Sequence, residues 1–328
     1  MACAVRASIL PRIDPMVRLL VVAILLATLL PAVGAGKAVA QAVSSLAIFL
    51  LFFLNGLRLA RGDVLKGLGQ GRFLLPLVAW CFGAMALAGL ALSRLVDGHV
   101  PGEIAIGFLF LGTLASTVQS ATAYTSLAGG NVAASVVAAA LLNILGVFVT
   151  APLFALLGGF ATVDVGWGAL GRILALLVLP FVLGQALQGL GRAWVTGHPR
   201  LVTWLDRAAI AIAVYVAFSA AVEQGIWQAL GAWQWIAVGA ALAGLLLFAF
   251  GGGWLLGSAL RLPRATRVSF MFAGAHKSVV SGAPIALILF GAERAGLILV
   301  PLLAYHLFQL IVSAPLATRL AMRSRPSE

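Results

Sequence analysis

Charged residues are scarce in this chain of 328 residues. Only 9% of the residues are Asp, Glu, Lys or Arg, whereas 62% are hydrophobic. A soluble domain of this length cannot cover its surface with so few polar groups. The composition therefore predicts a polytopic membrane protein and argues against a soluble globular enzyme.

Residues that carry catalysis or bind metals are also few. Cys3 and Cys81 are the two cysteines and lie too far apart in the sequence to suggest a disulfide framework or a metal cluster. The four histidines are scattered between His99 and His306. We find no nucleophile elbow, no metal-binding histidine pair and no phosphate-binding glycine loop. We expect no enzymatic activity, no cofactor and no metal centre.

Long apolar segments dominate what is present. Segments of about 17 to 25 apolar residues match a bilayer core roughly 30 Å thick. Ten such segments are predicted, near residues 16–33, 39–57, 73–93, 104–128, 131–157, 172–190, 208–226, 234–258, 268–290 and 295–319. The fold class expected is an all-α membrane protein with ten transmembrane helices.

The distribution of basic residues predicts the orientation of these spans. With the N-terminus in the cytoplasm, 16 of the 21 Lys and Arg fall in cytoplasmic loops or tails and four fall outside: Lys37, Arg94, Arg172 and Arg294. Short loops with this bias place both termini in the cytoplasm. The charge of +12 is then a topology signal in contact with membrane lipid, most simply at a bacterial inner membrane, and not a nucleic-acid surface.

An alternative concerns residues 1–42, which resemble a cleavable signal peptide. Cleavage would leave nine spans and put the basic loops outside, against the positive-inside bias.

Two halves of five spans follow each other in the chain. Because five is odd, the second half would be inverted relative to the first, as in many secondary transporters. The predicted segments are listed in chain order: cytoplasmic tail 1–15, first repeat 16–157, external loop 158–171, second repeat 172–320 and cytoplasmic tail 321–328.

Spans four and nine carry polar clusters near the middle of the bilayer. Span four contains TLASTVQSATAYTSLAGGN (113–131), with Thr117, Gln119, Ser120 and Thr122 among its polar residues. Span nine contains GAHKSVVSGAPIA (274–286). Ser and Thr side chains compete with the helix for backbone hydrogen bonds, so we predict that both spans are broken. Hydroxyls that only join helices are the simpler alternative.

Lys277 is the one basic residue deep within a span. It lies about 15 Å from either end, given 1.5 Å per helical residue, which is too far for its side chain to reach the interface. A charge at that depth costs about 3 kcal/mol on insertion scales. Lys277 is therefore either a structural residue bonded to backbone carbonyls or, together with Ser278, part of a transport site for an anion or a proton.

Further candidates surround these two segments. His276 lies next to Lys277 and needs unwound backbone to act with it, whereas His306 and Gln309 share a face of span ten. Asn131 is the expected N-cap of span five, and Ser135 lies one turn further on the same side. We include all five in the predicted substrate or ion site.

Four segments together resemble the bile acid:sodium symporter family, and specifically its bacterial SBF-like branch. They are STVQSATAYTSLAGGNVAASV (116–136), LPFVLGQ (179–185), VYVAFSAAVEQGIW (214–227) and GAHKSVVSGAPIALILF (274–290). The resemblance covers residues 14 to about 320. It implies two inverted five-helix repeats, a panel domain of spans 1, 2, 6 and 7, a core domain of the rest, and broken helices 4 and 9 that cross. It also implies transport of organic anions, usually with sodium, by alternating access.

The sodium ligands of the family are poorly matched. The resemblance places them at Ala121, Thr122, Ser135, Ala139, Phe272, His276 and Lys277. Only Thr122 and Ser135 match, and Phe272 stands where the family has its glutamate. We therefore expect a secondary active transporter of a small organic anion, with proton-coupled or uncoupled transport favoured over sodium coupling. A channel-like or regulatory membrane protein that affects calcium homeostasis is the alternative from another class.

Overall fold

The structure is a computed structural model that describes residues 14–58, 71–158, 174–225, 228 and 230–322. This part of the chain is helical throughout, apart from short connections and one isolated bridge between Asp97 and Val100. Its helices in chain order are α1 (Pro15–Leu29), α2 (Ala35–Arg58), α3 (Gly71–Val96), α4 (Gly102–Thr113), α5 (Gln119–Leu127), α6 (Val132–Gly158), α7 (Ala175–Ala186), α8 (Gln188–Gly197), α9 (Pro199–Glu223), α10 (Ala232–Ala259), α11 (Arg264–Ala275) and α12 (Val279–Met322).

The helices have the length and composition of membrane spans. Within the described residues, six helical stretches are long and apolar enough to cross a bilayer, namely α2, α3, α6, α9, α10 and the segment Arg264–Met322 that contains α11 and α12. A seventh results if the bent pair α7 and α8 is one span, and α1 and α4 are shorter apolar helices. The protein is therefore an integral membrane protein with an all-helical fold.

Local sequence explains where several helices begin and end. Asp14 caps α1 because its carboxylate accepts a hydrogen bond from the Met16 amide at 2.6 Å, and Pro15 occupies the first helical position, where no amide is needed. Gly291 separates the two parts of α12 with φ 69° and ψ 168°, a conformation that residues with a Cβ rarely adopt. This break falls between predicted spans nine and ten.

The bend after α7 was not predicted. The sequence predicted one span over 172–190, but α7 ends at Ala186 and α8 leaves it at 94°. The helix α8 is amphipathic, with Val195 buried and Arg192 exposed. The predicted external loop 158–171, apart from Gly158, lies outside the described residues, as do the terminal tails except for residues 14, 15, 321 and 322.

The core surrounds α4, α11 and the first part of α12. Almost all of α4 from Ile104 to Thr113 is buried, which fits a helix that is apolar on every side. Close approach to α3 depends on glycine: a Cβ on Gly112 would lie 2.6 Å from the Met85 carbonyl oxygen, and one on Gly89 would lie 2.6 Å from that of Phe108. The end of α4 is therefore held tightly against α3.

Candidate functional site

Two interrupted helices meet inside the core. The chain is not helical over residues 114–118, between α4 and α5, or over 276–278, between α11 and α12. The backbone is extended at the start of each interruption, with ψ 151° at Leu114 and ψ 138° at His276. The two segments contact each other directly, since the Ser278 amide donates to the Ala115 carbonyl at 3.0 Å. Both predicted breaks are present.

Every carbonyl from Gly112 to Ser116 has a hydrogen-bond donor. Lys277 Nζ donates to the carbonyls of residues 112 and 114, and Thr150 Oγ1 donates to that of residue 113 at 3.2 Å. The amide of Ser278 bonds to residue 115, and Asn143 Nδ2 donates to residue 116 at 3.1 Å. Unpaired carbonyls in a membrane core are costly, so these donors make the non-helical segment stable there.

The Lys277 ammonium lies at the centre of this arrangement. Nζ is 2.7 Å from the Leu114 carbonyl oxygen, 2.9 Å from that of Gly112 and 3.2 Å from that of Cys81. The residue is completely buried. Three carbonyls match the three N–H donors of an ammonium, and no carboxylate occurs in α3, in residues 104–118, in α11 or in residues 276–278 to neutralise it.

Each of these three carbonyls lies in a π turn or at the end of a helix. Cys81 lies within a π-helical turn of α3, Trp80–Ala84, and such turns occur frequently at functional sites. The Gly112 carbonyl belongs to the last turn of α4, whose final carbonyls lack partners within the helix, and Leu114 follows the helix end. The C-terminal end of a helix carries partial negative charge, which favours a cation at this position.

Gln309 and His306 hold the backbone of Lys277. The Gln309 side chain accepts from the Lys277 amide at 2.8 Å and donates to the Lys277 carbonyl at 3.1 Å. Its Nε2 also lies 2.8 Å from His306 Nδ1. The face that Gln309 and His306 were predicted to share therefore points at residues 276–278. The contacts of this face position Lys277.

His276 joins both interruptions to α12 through hydroxyl groups. Nδ1 lies 2.9 Å from Ser120 Oγ, and Nε2 lies 2.9 Å from Ser313 Oγ. Ser120 in turn is hydrogen-bonded to Thr117. The result is a chain Thr117–Ser120–His276–Ser313 in which every link joins groups that can both donate and accept a proton.

The remaining predicted residues lie along α5 and α6. Thr122 Oγ1 is 3.3 Å from Ser135 Oγ, and Asn131 caps α6 by accepting from the Ala134 amide at 3.0 Å. Gln119 begins α5 and is exposed. The structure thus brings Thr122 and Ser135 together, while Asn131 has the capping role that its sequence context predicted.

The side chains at the positions to which the resemblance assigns sodium ligands offer few oxygen atoms. Sodium prefers several oxygen ligands, and here the pair Thr122 and Ser135 offers two hydroxyls. Ala121 and Ala139 offer none, and the buried Phe272 ring packs against the His276 ring at 6.0 Å between centroids. The side chains present therefore fit a sodium ion poorly.

Sequence reasoning did not select Asn143, Thr150, Ser313 or Tyr305. All four support the interruptions, Tyr305 by donating to the Ala275 carbonyl at 2.7 Å. Each is an isolated polar residue in an apolar helix and therefore resembles ordinary helix-joining polar residues. An asparagine in the middle of the span 131–157 was the strongest available signal.

Comparison with known proteins agrees with this geometry. The SBF-like CPA transporter family matches residues 14–322. An uncharacterised Pseudomonas aeruginosa protein, PA2026, is 37% identical over 306 residues, covering 93% of this chain and 92% of its own. The Escherichia coli protein YfeH, whose name assigns it provisionally to the symporters, is 34% identical over 310 residues, covering 94% of this chain and 92% of its own.

A mammalian protein is also similar. The mouse sodium/bile acid cotransporter 7 is 27% identical over 307 residues, covering 90% of this chain and 89% of its own. A family match over almost the whole chain, together with two interrupted helices that meet around polar groups, leads to one conclusion. This chain belongs to the SBF-like CPA transporter family and is a membrane transporter of the bile acid:sodium symporter type.

Proposed function

We propose that this protein is a secondary active transporter that moves a small organic anion by alternating access, with proton-coupled or uncoupled transport in place of sodium coupling. The proposal includes ten membrane helices in two inverted five-helix repeats, α1–α6 and α7–α12. In this arrangement α4–α5 and α11–α12 hold the two crossing breaks at corresponding places of the repeats. Transporters of this kind bind their solutes where broken helices meet.

The geometry of Lys277 is the observation that carries the proposal. Its ammonium is held by neutral carbonyls, so the site keeps a net positive charge that a carboxylate partner would have cancelled. A positive charge in a low-dielectric core acts over a longer range than it would in water. This field favours an anion at the crossing even though the ammonium itself is buried.

The hydroxyl groups of α5 are the proposed contact surface for that anion. Ser120 and Thr122 are half-buried and Gln119 is exposed at the start of α5, where backbone amides and the helix dipole also favour negative charge. His276 contacts this surface through Ser120, and Ser135 contacts it through Thr122. Lys277 and Ser278 follow His276 directly in the chain. Asn131, His306 and Gln309 would keep the backbone in place.

Proton coupling would use the chain Thr117–Ser120–His276–Ser313. A histidine with a hydroxyl on each ring nitrogen can accept a proton at one nitrogen and release one from the other. The names of two relatives, one provisionally assigned to the symporters and one called a sodium/bile acid cotransporter, support an anionic solute moved together with an ion. The poor match at the sodium-ligand positions supports protons over sodium.

Transport into proteoliposomes tests the proposal. The substrate panel consists of labelled taurocholate and labelled short monocarboxylates, preselected by whether each raises the unfolding temperature of the protein. We expect saturable uptake of at least one anion that needs no sodium gradient, and loss of that uptake in Lys277→Gln. Lys37→Gln is the matched control, because Lys37 is a partly exposed lysine paired with Glu223 at 3.2 Å.

Three outcomes would contradict the proposal. They are a strict sodium requirement, undiminished uptake by Lys277→Gln, and a flux that rises linearly without saturation. The last would instead indicate the channel-like alternative.

A further inference from the structure

The three carbonyls around the Lys277 ammonium come from two tightly packed helices. The π turn of α3 supplies Cys81, and the end of α4 supplies Gly112 and Leu114. Close glycine contacts hold these two helices together, since Gly112 and Gly89 leave no room for a Cβ. We therefore expect the pocket formed by these carbonyls to persist when the side chain of Lys277 is shortened.

Neighbouring bonds also hold the non-helical backbone independently of Lys277 Nζ. Thr150 Oγ1 donates to the Thr113 carbonyl at 3.2 Å, and Asn143 Nδ2 donates to the Ser116 carbonyl at 3.1 Å. The Ser278 amide donates to the Ala115 carbonyl at 3.0 Å. The carbonyls of residues 112 and 114 alternate along the chain with the carbonyls that these other donors hold. This alternation orients the carbonyls of residues 112 and 114 toward the ammonium.

The chemistry of the pocket suits a monovalent cation. Backbone carbonyls replace the hydration shells of monovalent ions in channel filters, and the end of α4 adds the partial negative charge of a helix C-terminus. No carboxylate occurs in α3, in residues 104–128 or in residues 264–292, so the pocket lacks the formal charge that divalent cations require.

We propose that this carbonyl pocket is a monovalent-cation site that the chain fills with its own ammonium. A protein with a shortened residue 277 will bind a free monovalent cation in its place. The site deepens the proposed function by giving Lys277 the role of a permanently attached cation. The binding test requires no transported anion. It can therefore fail while the proposed transport function stands, and the transport function can fail while the cation site stands.

Thermal unfolding of purified protein tests the site directly. In Lys277→Ala the atoms lost beyond Cβ correspond to n-propylammonium, which is therefore the first probe, followed by sodium and potassium. Each is supplied as the chloride from extraction onward, because the site is fully buried. Tetramethylammonium chloride at equal concentration is the control, since it has no N–H donor. Lys277→Met is the matched variant, because it fills the space of the lysine stem without charge.

We expect both variants to lose unfolding temperature, on the order of 5 °C or more. Propylammonium should restore part of that loss in Lys277→Ala, with a dependence on concentration, and sodium or potassium should restore less. None of these ions should stabilise Lys277→Met or the unmodified protein beyond the effect of tetramethylammonium.

Either of two results overturns the inference. One is a Lys277→Met protein as stable as the unmodified protein, which would show that the carbonyls need no cation and which remains measurable if Lys277→Ala fails to fold. The other is a Lys277→Ala protein that responds to propylammonium, sodium and potassium no more than to tetramethylammonium.

Discussion

At the scale of single residues, the pairing of Lys277 with carbonyls has a consequence that pairing with a carboxylate would not have. A buried ion pair is neutral overall, but an ammonium bonded to three carbonyls remains a full positive charge. Placing a charge in the membrane core is costly, and the three bonds offset part of that cost. The retained charge is the property on which anion transport is proposed to depend.

Thr150→Val tests whether side-chain donors stabilise the first interruption. The change keeps the shape of the side chain and removes the donor to the Thr113 carbonyl. We expect a loss of about 1–3 kcal/mol of stability, because a buried acceptor is left unpaired, measured as a lower midpoint of unfolding in detergent.

Thr203→Val is the control for this change, since Thr203 makes a similar bond to the Pro199 carbonyl but at an exposed position. Equal effects of the two substitutions would contradict the role given to Thr150.

His276→Gln tests the hydrogen-bonded chain as the route of the coupling proton. Glutamine can still bond to a hydroxyl but does not titrate, so anion binding should persist while the proton is no longer carried. We expect the variant to keep exchange of labelled for unlabelled anion and to lose accumulation driven by a pH gradient.

Ser313→Ala, which removes the partner of Nε2, should weaken the pH-driven component in the same way. Full pH-driven accumulation by His276→Gln would exclude this histidine as the proton carrier. It would leave uncoupled transport or another carrier as the explanation.

Some residues of the site could be predicted from their spacing in the sequence, and others could not. A shared helical face was enough to predict Gln309 and His306, because they lie three positions apart on one helix. The bond from His276 to Ser313 spans 37 residues and that from Asn143 to Ser116 spans 27. Such contacts depend on the packing of separate helices, which the spacing of polar residues in the chain does not reveal.

At the scale of helices, the interruptions depend on how closely α3 and α4 approach. Gly89 and Gly112 face each other, and a Cβ on Gly112 would lie 2.6 Å from the Met85 carbonyl oxygen. Small residues allow this approach of membrane helices. The close approach of α3 to α4 places the π turn of α3 within hydrogen-bonding distance of Lys277. The packing of these helices therefore determines the geometry of the site.

Gly112→Ala should separate the two helices and destabilise the protein. Overpacking of this kind costs about 1–3 kcal/mol, and we expect it to appear as a lower unfolding temperature together with weaker anion uptake.

Gly244→Ala is the matched control, because nothing lies within 4 Å of a Cβ at that position of α10. It should leave stability unchanged or raise it slightly, since alanine favours a helix over glycine by about 1 kcal/mol. An equal loss in both variants would argue against the proposed contact of α3 with α4.

At the scale of the whole molecule, charged residues pair at the two ends of the helical bundle. Lys37 meets Glu223 at 3.2 Å and Glu293 at 3.8 Å, and these three residues all fall on the side predicted to be external. Arg58 meets Asp206 at 2.7 Å on the side predicted to be cytoplasmic. Each pair thus joins residues that the basic loops predict to lie on the same side of the membrane.

Labelling of single cysteines tests the orientation in intact bacterial cells. In a background with Cys3→Ser and Cys81→Ser, we expect Asp97→Cys to react with a membrane-impermeant maleimide from outside. Arg200→Cys should react only after the cells are permeabilised, because positive-inside loops face the cytoplasm. Both positions are exposed, so accessibility within the protein does not bias the comparison. The reverse pattern would invert the proposed topology.

Composition and residue spacing by themselves determined the membrane class, most of the helical segments and the two interruptions. Hydropathy and the backbone preferences of Ser, Thr, Gly and Pro act locally, so these properties can be derived from short stretches of chain. The 94° bend after α7, the carbonyls that surround the Lys277 ammonium and the path from His276 to Ser313 were decided only by the tertiary structure. Each requires groups from separate helices to lie within hydrogen-bonding distance, or a helix to bend where lipid and protein surfaces meet, and these conditions arise only once the helices have packed.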